Sequence, residues 1–135
     1  MRRFPLLTLL AAACWADGAF GTWKTKTLTV RFEPHTKGEV FTLDKIDGDG
    51  RITTSSTILY LDGKPRDFGD THCSGTQSSR RVDSRTVEIL QKCSSGEWTR
   101  FIRRLAMQPK ELVLEITEQH TDGRRFERRL ILEKQ

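Results

Sequence analysis

The chain has 135 residues, 36% of them hydrophobic and 30% charged, and a formal net charge of +5 at pH 7. That length holds one domain with a modest core, and a mean hydropathy of -0.54 is too polar for an integral membrane protein. With only 8% aromatic residues and no RNA-binding or helix-turn-helix motif, the basic balance does not point to a nucleic-acid partner.

Arg2 and Arg3 precede an apolar run from Phe4 to Trp15, short of the ~20 residues a helix needs to cross a bilayer. A basic start, a Leu/Ala-rich run and small residues beyond it have the form of a secretory signal peptide over residues 1–19, cleaved after Ala13, Ala16 or Ala19. Ala11 to Cys14 loosely resembles a lipoprotein box, but no leucine stands three places before Cys14, so an ordinary cleaved leader is preferred to lipidation. A secreted or periplasmic domain of residues 20–135 is the expectation.

Phe20 to Trp23 opens that domain, and Leu28 to Phe32 reads as its first strand or the end of that strand. Glu33 to Gly38 turns into a strand over Glu39 to Ile46, and Asp47 to Gly50 turns back into Arg51 to Leu61. Asp62-Gly63 carries the residue types of a tight hairpin, followed by a short strand near Lys64 to Asp70. Thr71 to Ser79 is rich in Ser, Gly and Thr and reads as a mobile loop. Four alternating segments follow: Arg85 to Cys93, Glu97 to Met107, Glu111 to Thr117 and Phe126 to Glu133. Their connectors, Ser94 to Gly96, Gln108-Pro109 and Thr121 to Gly123, are short enough to force antiparallel neighbours. The sum is an all-β fold, a single antiparallel up-and-down meander of eight or nine strands. A sheet of that size buries one face best by closing into a barrel.

The alternation also nominates a core. Val87 shares a face with Ile89, as do Leu112, Leu114 and Ile116, and as do Phe126, Leu130 and Leu132. Trp98, Ile102 and Ala106 are in phase, while Phe101, Leu105 and Met107 take the opposite or a shifted phase. That strand is apolar on both faces or carries a bulge.

Of the three cysteines, Cys14 leaves with the leader or sits at its end. Cys73 and Cys93 remain as an even pair in an oxidising compartment, which favours a disulfide. A loop of that length contributes about 3 kcal/mol. Lys45 to Ile52, with Asp47-Gly48-Asp49-Gly50 at its centre, superficially matches a calcium loop. Aligning Gly50 with the glycine of that loop puts Lys45 and Ser56 where carboxylates are required, so a hairpin turn is the better reading and no metal is expected.

Gly21-Thr22-Trp23 just after the leader, ahead of a strand meander, resembles the Gly-x-Trp opening of lipocalin and related calycin barrels. With it, Asp62 to Pro65, Val82 to Glu88 and the terminal Leu132 to Gln135 look like small exported bacterial lipocalin-like proteins. The resemblance implies that Trp23 closes one barrel end against an arginine of the last strand, Arg128 or Arg129. It also implies a small apolar or amphiphilic ligand inside. Phe41, Tyr60, Trp98, Phe101 and Arg103 are the candidate contacts.

Arginine doublets at 80–81, 103–104, 124–125 and 128–129 carry much of the positive charge. Within a strand each doublet sends one arginine out and one inward, and a basic mouth would attract an anionic head such as a carboxylate or phosphate. His35, His72 and His120 fall in or beside turns and read as solvated bystanders. No nucleophile elbow or carboxylate pair is nominated, so the protein reads as a monomeric binder without a cofactor, not an enzyme. A protein-binding barrel, such as an inhibitor of an extracellular enzyme, and a ligand-free envelope protein are the alternatives.

Overall fold

The computed structural model describes residues 20–135; the expected leader, its cleavage positions and Cys14 lie outside the described residues. Ten strands follow in turn: β1 (Gly21–Lys24), β2 (Leu28–His35), β3 (Gly38–Ile46), β4 (Ile52–Leu59), β5 (Arg66–Gly69), β6 (Cys73–Asp83), β7 (Thr86–Gly96), β8 (Trp98–Met107), β9 (Glu111–His120) and β10 (Arg125–Lys134). All belong to one antiparallel sheet in the order β4-β3-β2-β1-β10-β9-β8-β7-β6-β5. The meander expected from the alternation is therefore the architecture. First and last strands pair, with Trp23 opposite Lys134, as in a closing up-and-down barrel. The sheet curls through 282° into a half-barrel, because its break falls between β4 and β5.

Two sequence expectations are corrected at that break. Thr71 to Ser79 is not a loop: β6 begins at Cys73 and pairs with both β5 and β7. Its small polar residues carry no apolar signal, yet the Cys73–Cys93 disulfide ties it to β7 with a Cα separation of 5.2 Å. A Cβ on Gly75 would run into the Lys92 carbonyl oxygen, and one on Gly96 into that of His72. Glycine at these two places is what lets the backbones meet beside the bridge. The tenth strand is thus β6, missing from the count of eight or nine. Nor does Asp62-Gly63 make a β4–β5 hairpin. Leu61 takes a left-handed conformation at φ 60°, Asp62 bridges to Arg80 of β6, and the Gly63 amide donates to the Ser79 carbonyl at 2.8 Å. The Asp62 carboxylate clamps Arg66 at 2.9 and 2.8 Å, which holds this crossing in place. Side chains complete the seam: Gln77 Nε2 donates to Thr57 Oγ1 at 3.0 Å and Gln91 Nε2 to Gln77 Oε1 at 2.9 Å.

The core follows the period-two pattern. Val87, Ile89, Leu112, Leu114 and Leu132 are buried as read, joined by Trp23, Val30, Phe32, Leu59 and Leu105. Phe126 shares its strand face with Leu130 and Leu132 but emerges at the rim. In β8 Trp98 opposes His120 while Arg100 opposes Gln119, so Thr99 is an extra residue. That bulge shifts Trp98 out of phase with Ile102 and Ala106 and packs it on the core beside Phe101.

Three doublets divide as the alternation requires. Arg81 reaches the buried Glu39 at 3.4 Å while Arg80 bonds Glu88. Arg104 turns outward and Arg103 inward; Arg129 pairs across to Glu115 while Arg128 is in register with Ile116. Glu88 joins two arginines, Arg80 at 3.2 Å and Arg104 at 2.9 Å. Partial burial pushes its carboxyl up, but the bonds from Arg104 and Arg80 outweigh this and hold it below the usual range. A depressed folded-state carboxyl stabilises above its unfolded value of about 4.3, and that contribution is lost as pH falls through the folded value. Glu88→Gln is accordingly expected to cost about 1 kcal/mol near neutrality and to flatten the acid limb of a stability–pH profile measured in urea.

Candidate functional site: a basic cup at one end of the half-barrel

The alternation that fills the lower part of the half-barrel leaves its upper part open. Inward positions there belong to the turn-side ends of β2, β3, β8, β9 and β10. They enclose a cavity of about 390 Å³ lined by Leu28, Leu43, Phe101, Leu114, Ile116 and Leu130, with Lys45, His72, Glu97, Trp98, Arg103, Glu118 and Arg128 around them. The volume lies at the lower end of small-molecule sites. A wider, shallow concavity of about 770 Å³ runs along β5–β7, where glycine and small polar groups such as Gly69, Gly75 and Ser94 dominate the lining.

Most charges of the cup are already matched. Arg128 bonds Glu118 at 3.2 Å, and His120 Nε2 lies 3.1 Å from the same carboxylate. His72 Nδ1 lies 2.8 Å from Glu97. Asp70 accepts the backbone amides of His72 and Cys73 at 2.8 and 2.9 Å. Arg103 and Lys45 differ: neither has a carboxylate within ion-pair distance among the described residues. The Arg103 guanidinium instead lies 4.5 Å from the Phe101 ring centroid and 6.0 Å from that of Phe41. Burial pulls it down to about 10, against the opposing influence of Asp70 and Glu118, so it stays charged at neutral pH. Burial, then the nearby Arg103 and Arg128, lower Lys45 as well. Two cations, Arg103 partly buried and Lys45 exposed, thus stand beside an apolar floor, an arrangement chemically suited to an anion.

The residues singled out from sequence divide between places. Trp98, Phe101 and Arg103 line the cup; Phe41 does not, and is buried in the core with its ring 5.4 Å from that of Phe32 and 6.0 Å from the Arg103 guanidinium. Tyr60 lies at the β4–β5 seam, its ring under the Arg66 guanidinium at 3.7 Å. Trp23 is fully buried, edge-on to Phe32 at 5.9 Å, and the cation over its ring is Lys134, also at 5.9 Å. Arg128 stands at the cup and Arg129 on the opposite strand face. His35, the last residue of β2, is exposed and accepts the Lys37 amide.

Sequence reasoning missed Lys45, Glu118, His120 and His72 as members of the site. Lys45 continues the inward phase of Phe41 and Leu43, and Glu118 and His120 continue that of Leu112 to Ile116. Extending each alternating run by one or two places would have found these three. His72 arrives through the β6–β7 bridge and has no such signal.

Asp47 holds the β3–β4 turn, its carboxylate accepting the amides of Asp49 and Arg51 at 2.9 Å each. Among the described residues no three His, Cys, Asp or Glu side chains gather to hold a metal ion, and no helix is long and apolar enough to cross a membrane. No protein-family model matches the chain, and no curated protein matches it.

Proposed function

We propose that the protein is an exported, lipocalin-like binder of a small amphiphilic anion. The charged head rests on Arg103 and Lys45, and the apolar body against Leu28, Leu43 and Phe101. The observation that carries this reading is the half-buried Arg103, a cation facing a cavity without a carboxylate partner among the described residues. An anionic ligand supplies the missing partner in a half-buried site, where water screens the pair only in part. Export is supported by the Cys73–Cys93 disulfide, a bond that persists in oxidising compartments, together with the leader-like start of the sequence.

Calorimetric titration of ligand-free protein with decanoate and 2-naphthoate, each against its neutral alcohol, tests the reading. At least one acid is expected to bind with a Kd of about 10 µM or tighter, and about tenfold or more above its alcohol. Alcohols binding as well as the acids, or no acid binding, would overturn it.

A protein-binding role is the second reading. The observation favouring it is β4, an edge strand without charge or proline over Ile52–Leu59, the kind of edge that accepts a further strand.

A further inference from the structure

We infer that the bound acid enters the cup head first and that its apolar body leaves over Ile46 and Ile52 at the rim, an inference that rests on the anion-binding reading above. The mouth is built by the strand ends and connections that carry Thr27, Ile46, His72 and Glu97. Strand register then fixes the depth of the cation. On the inner face Arg103, Ile116 and Arg128 form one cross-strand row. Phe101 and Glu118 stand one row nearer the mouth, with Trp98 and His120 beyond them. One row deeper come Leu105 and Leu114, 0% and 1% exposed. The Arg103 guanidinium also lies 6.0 Å from the ring of Phe41, on a strand five places away in the sheet and itself 2% exposed. Arg103 therefore spans the bore at the closed end of the cup. A carboxylate that bonds it must lead the rest of the molecule in.

The rim shows where the body goes. Leu28 and Leu43 line the wall below Ile46, which lines the cavity too and is 36% exposed. The Ile46 amide donates to the Thr27 carbonyl at 2.9 Å, which fixes the residue at the mouth. Directly opposite it, on the edge strand β4, is Ile52, 65% exposed. The cavity of about 390 Å³ is small for its class, so a long chain outgrows it. The surface it meets next is this isoleucine pair, and covering apolar surface is favourable for both partners. The ligand class is a terminal acid on a slender, unbranched stem that continues past the mouth.

Calorimetry on the whole chain tests both halves. Dodecanoate is expected to bind about tenfold or more tightly than octanoate, because its extra carbons cover Ile46 and Ile52. Dodecanoate carrying a dansyl dye on its far end should bind within about threefold of the plain acid. Dodecanoate doubly methylated beside the carboxylate should bind about tenfold more weakly, since the closed end has no room for the added bulk. Ile52→Thr is expected to weaken dodecanoate about fivefold and leave octanoate within about twofold. Ile131→Thr, at a position 46% exposed on β10, should change neither. A dyed acid that no longer binds, or a methylated acid that binds as well as dodecanoate, would overturn the head-first orientation while leaving anion binding intact. Dodecanoate affinity unmoved by Ile52→Thr would overturn the exit path. Neither chain length binding would remove the anion reading as well. Should Ile52→Thr fail to fold, the ligand series on the unaltered protein still decides the orientation.

Discussion

Replacing Arg103 with methionine is expected to weaken anion binding sharply and to raise the melting temperature of the same protein. The guanidinium sits in the cup without a carboxylate partner among the described residues, and burial holds its pKa down to about 10. Folding therefore works against this charge, and each unit of such a shift corresponds to about 1.4 kcal/mol. Methionine fills similar space and keeps a favourable sulfur contact with Phe101. Allowing for the lost contacts with Phe101 and Phe41, the net gain is about 1–2 kcal/mol, or about 4–8 °C for a domain of this size. Affinity for the acid should fall about 30-fold, the worth of a charge-assisted bond. The neighbouring Arg104 supplies the control. It bonds Glu88 on the outer side, so Arg104→Met should lower stability slightly and leave binding unchanged. A structural role for Arg103 gives the opposite sign, a lower melting temperature on substitution.

Converting both Cys73 and Cys93 to serine is expected to cost about 3 kcal/mol, from the entropy that a bridge of this length removes from the unfolded chain, and about 10 °C in melting temperature. The sequence separation is 20 residues. The loss should be uneven across the fold. β5 spans only Arg66–Gly69 and pairs with β6 alone, at the open seam. Its amides and those of Cys73 to Ser79 should exchange faster in the serine variant, while β2 and β3, held by their own eight-pair ladder, keep their protection. Adding a reductant to the unaltered protein should reproduce the effect. An unchanged melting temperature on reduction would remove the bridge from the stability of this domain.

What was legible in the sequence is what the pleat encodes locally. Alternating apolar residues in β7, β9 and β10 identified the inner face because their side chains must choose one side of a sheet. The same rule required each arginine doublet within a strand to split, but did not say which of Arg103 and Arg104 turns inward; Arg103 entered as a candidate through the lipocalin-like resemblance. Two kinds of feature escaped. Thr99 adds a residue to β8 without any composition signal, yet it decides that Trp98 faces the cup. The β6 segment looks like a loop because its order comes from partners far along the chain, namely β7 and the disulfide. The break between β4 and β5 is of the same kind. It depends on Leu61 turning left-handed and Asp62 reaching Arg80, contacts that an Asp-Gly pair read alone does not reveal. Lys134 over Trp23, in place of an arginine, reflects the register between β1 and β10, which alternation leaves free.

The most direct test of an anion seat at Arg103 is the Nε–Hε resonance of its guanidinium, followed by nitrogen–proton correlation spectra as an apolar acid is added. The account predicts a saturable shift at Arg103, with an Nε–Hε proton slowed in exchange with water, while Arg104 stays still. An Arg103 resonance unmoved at saturating acid, or moved no more than that of Arg104, would contradict it.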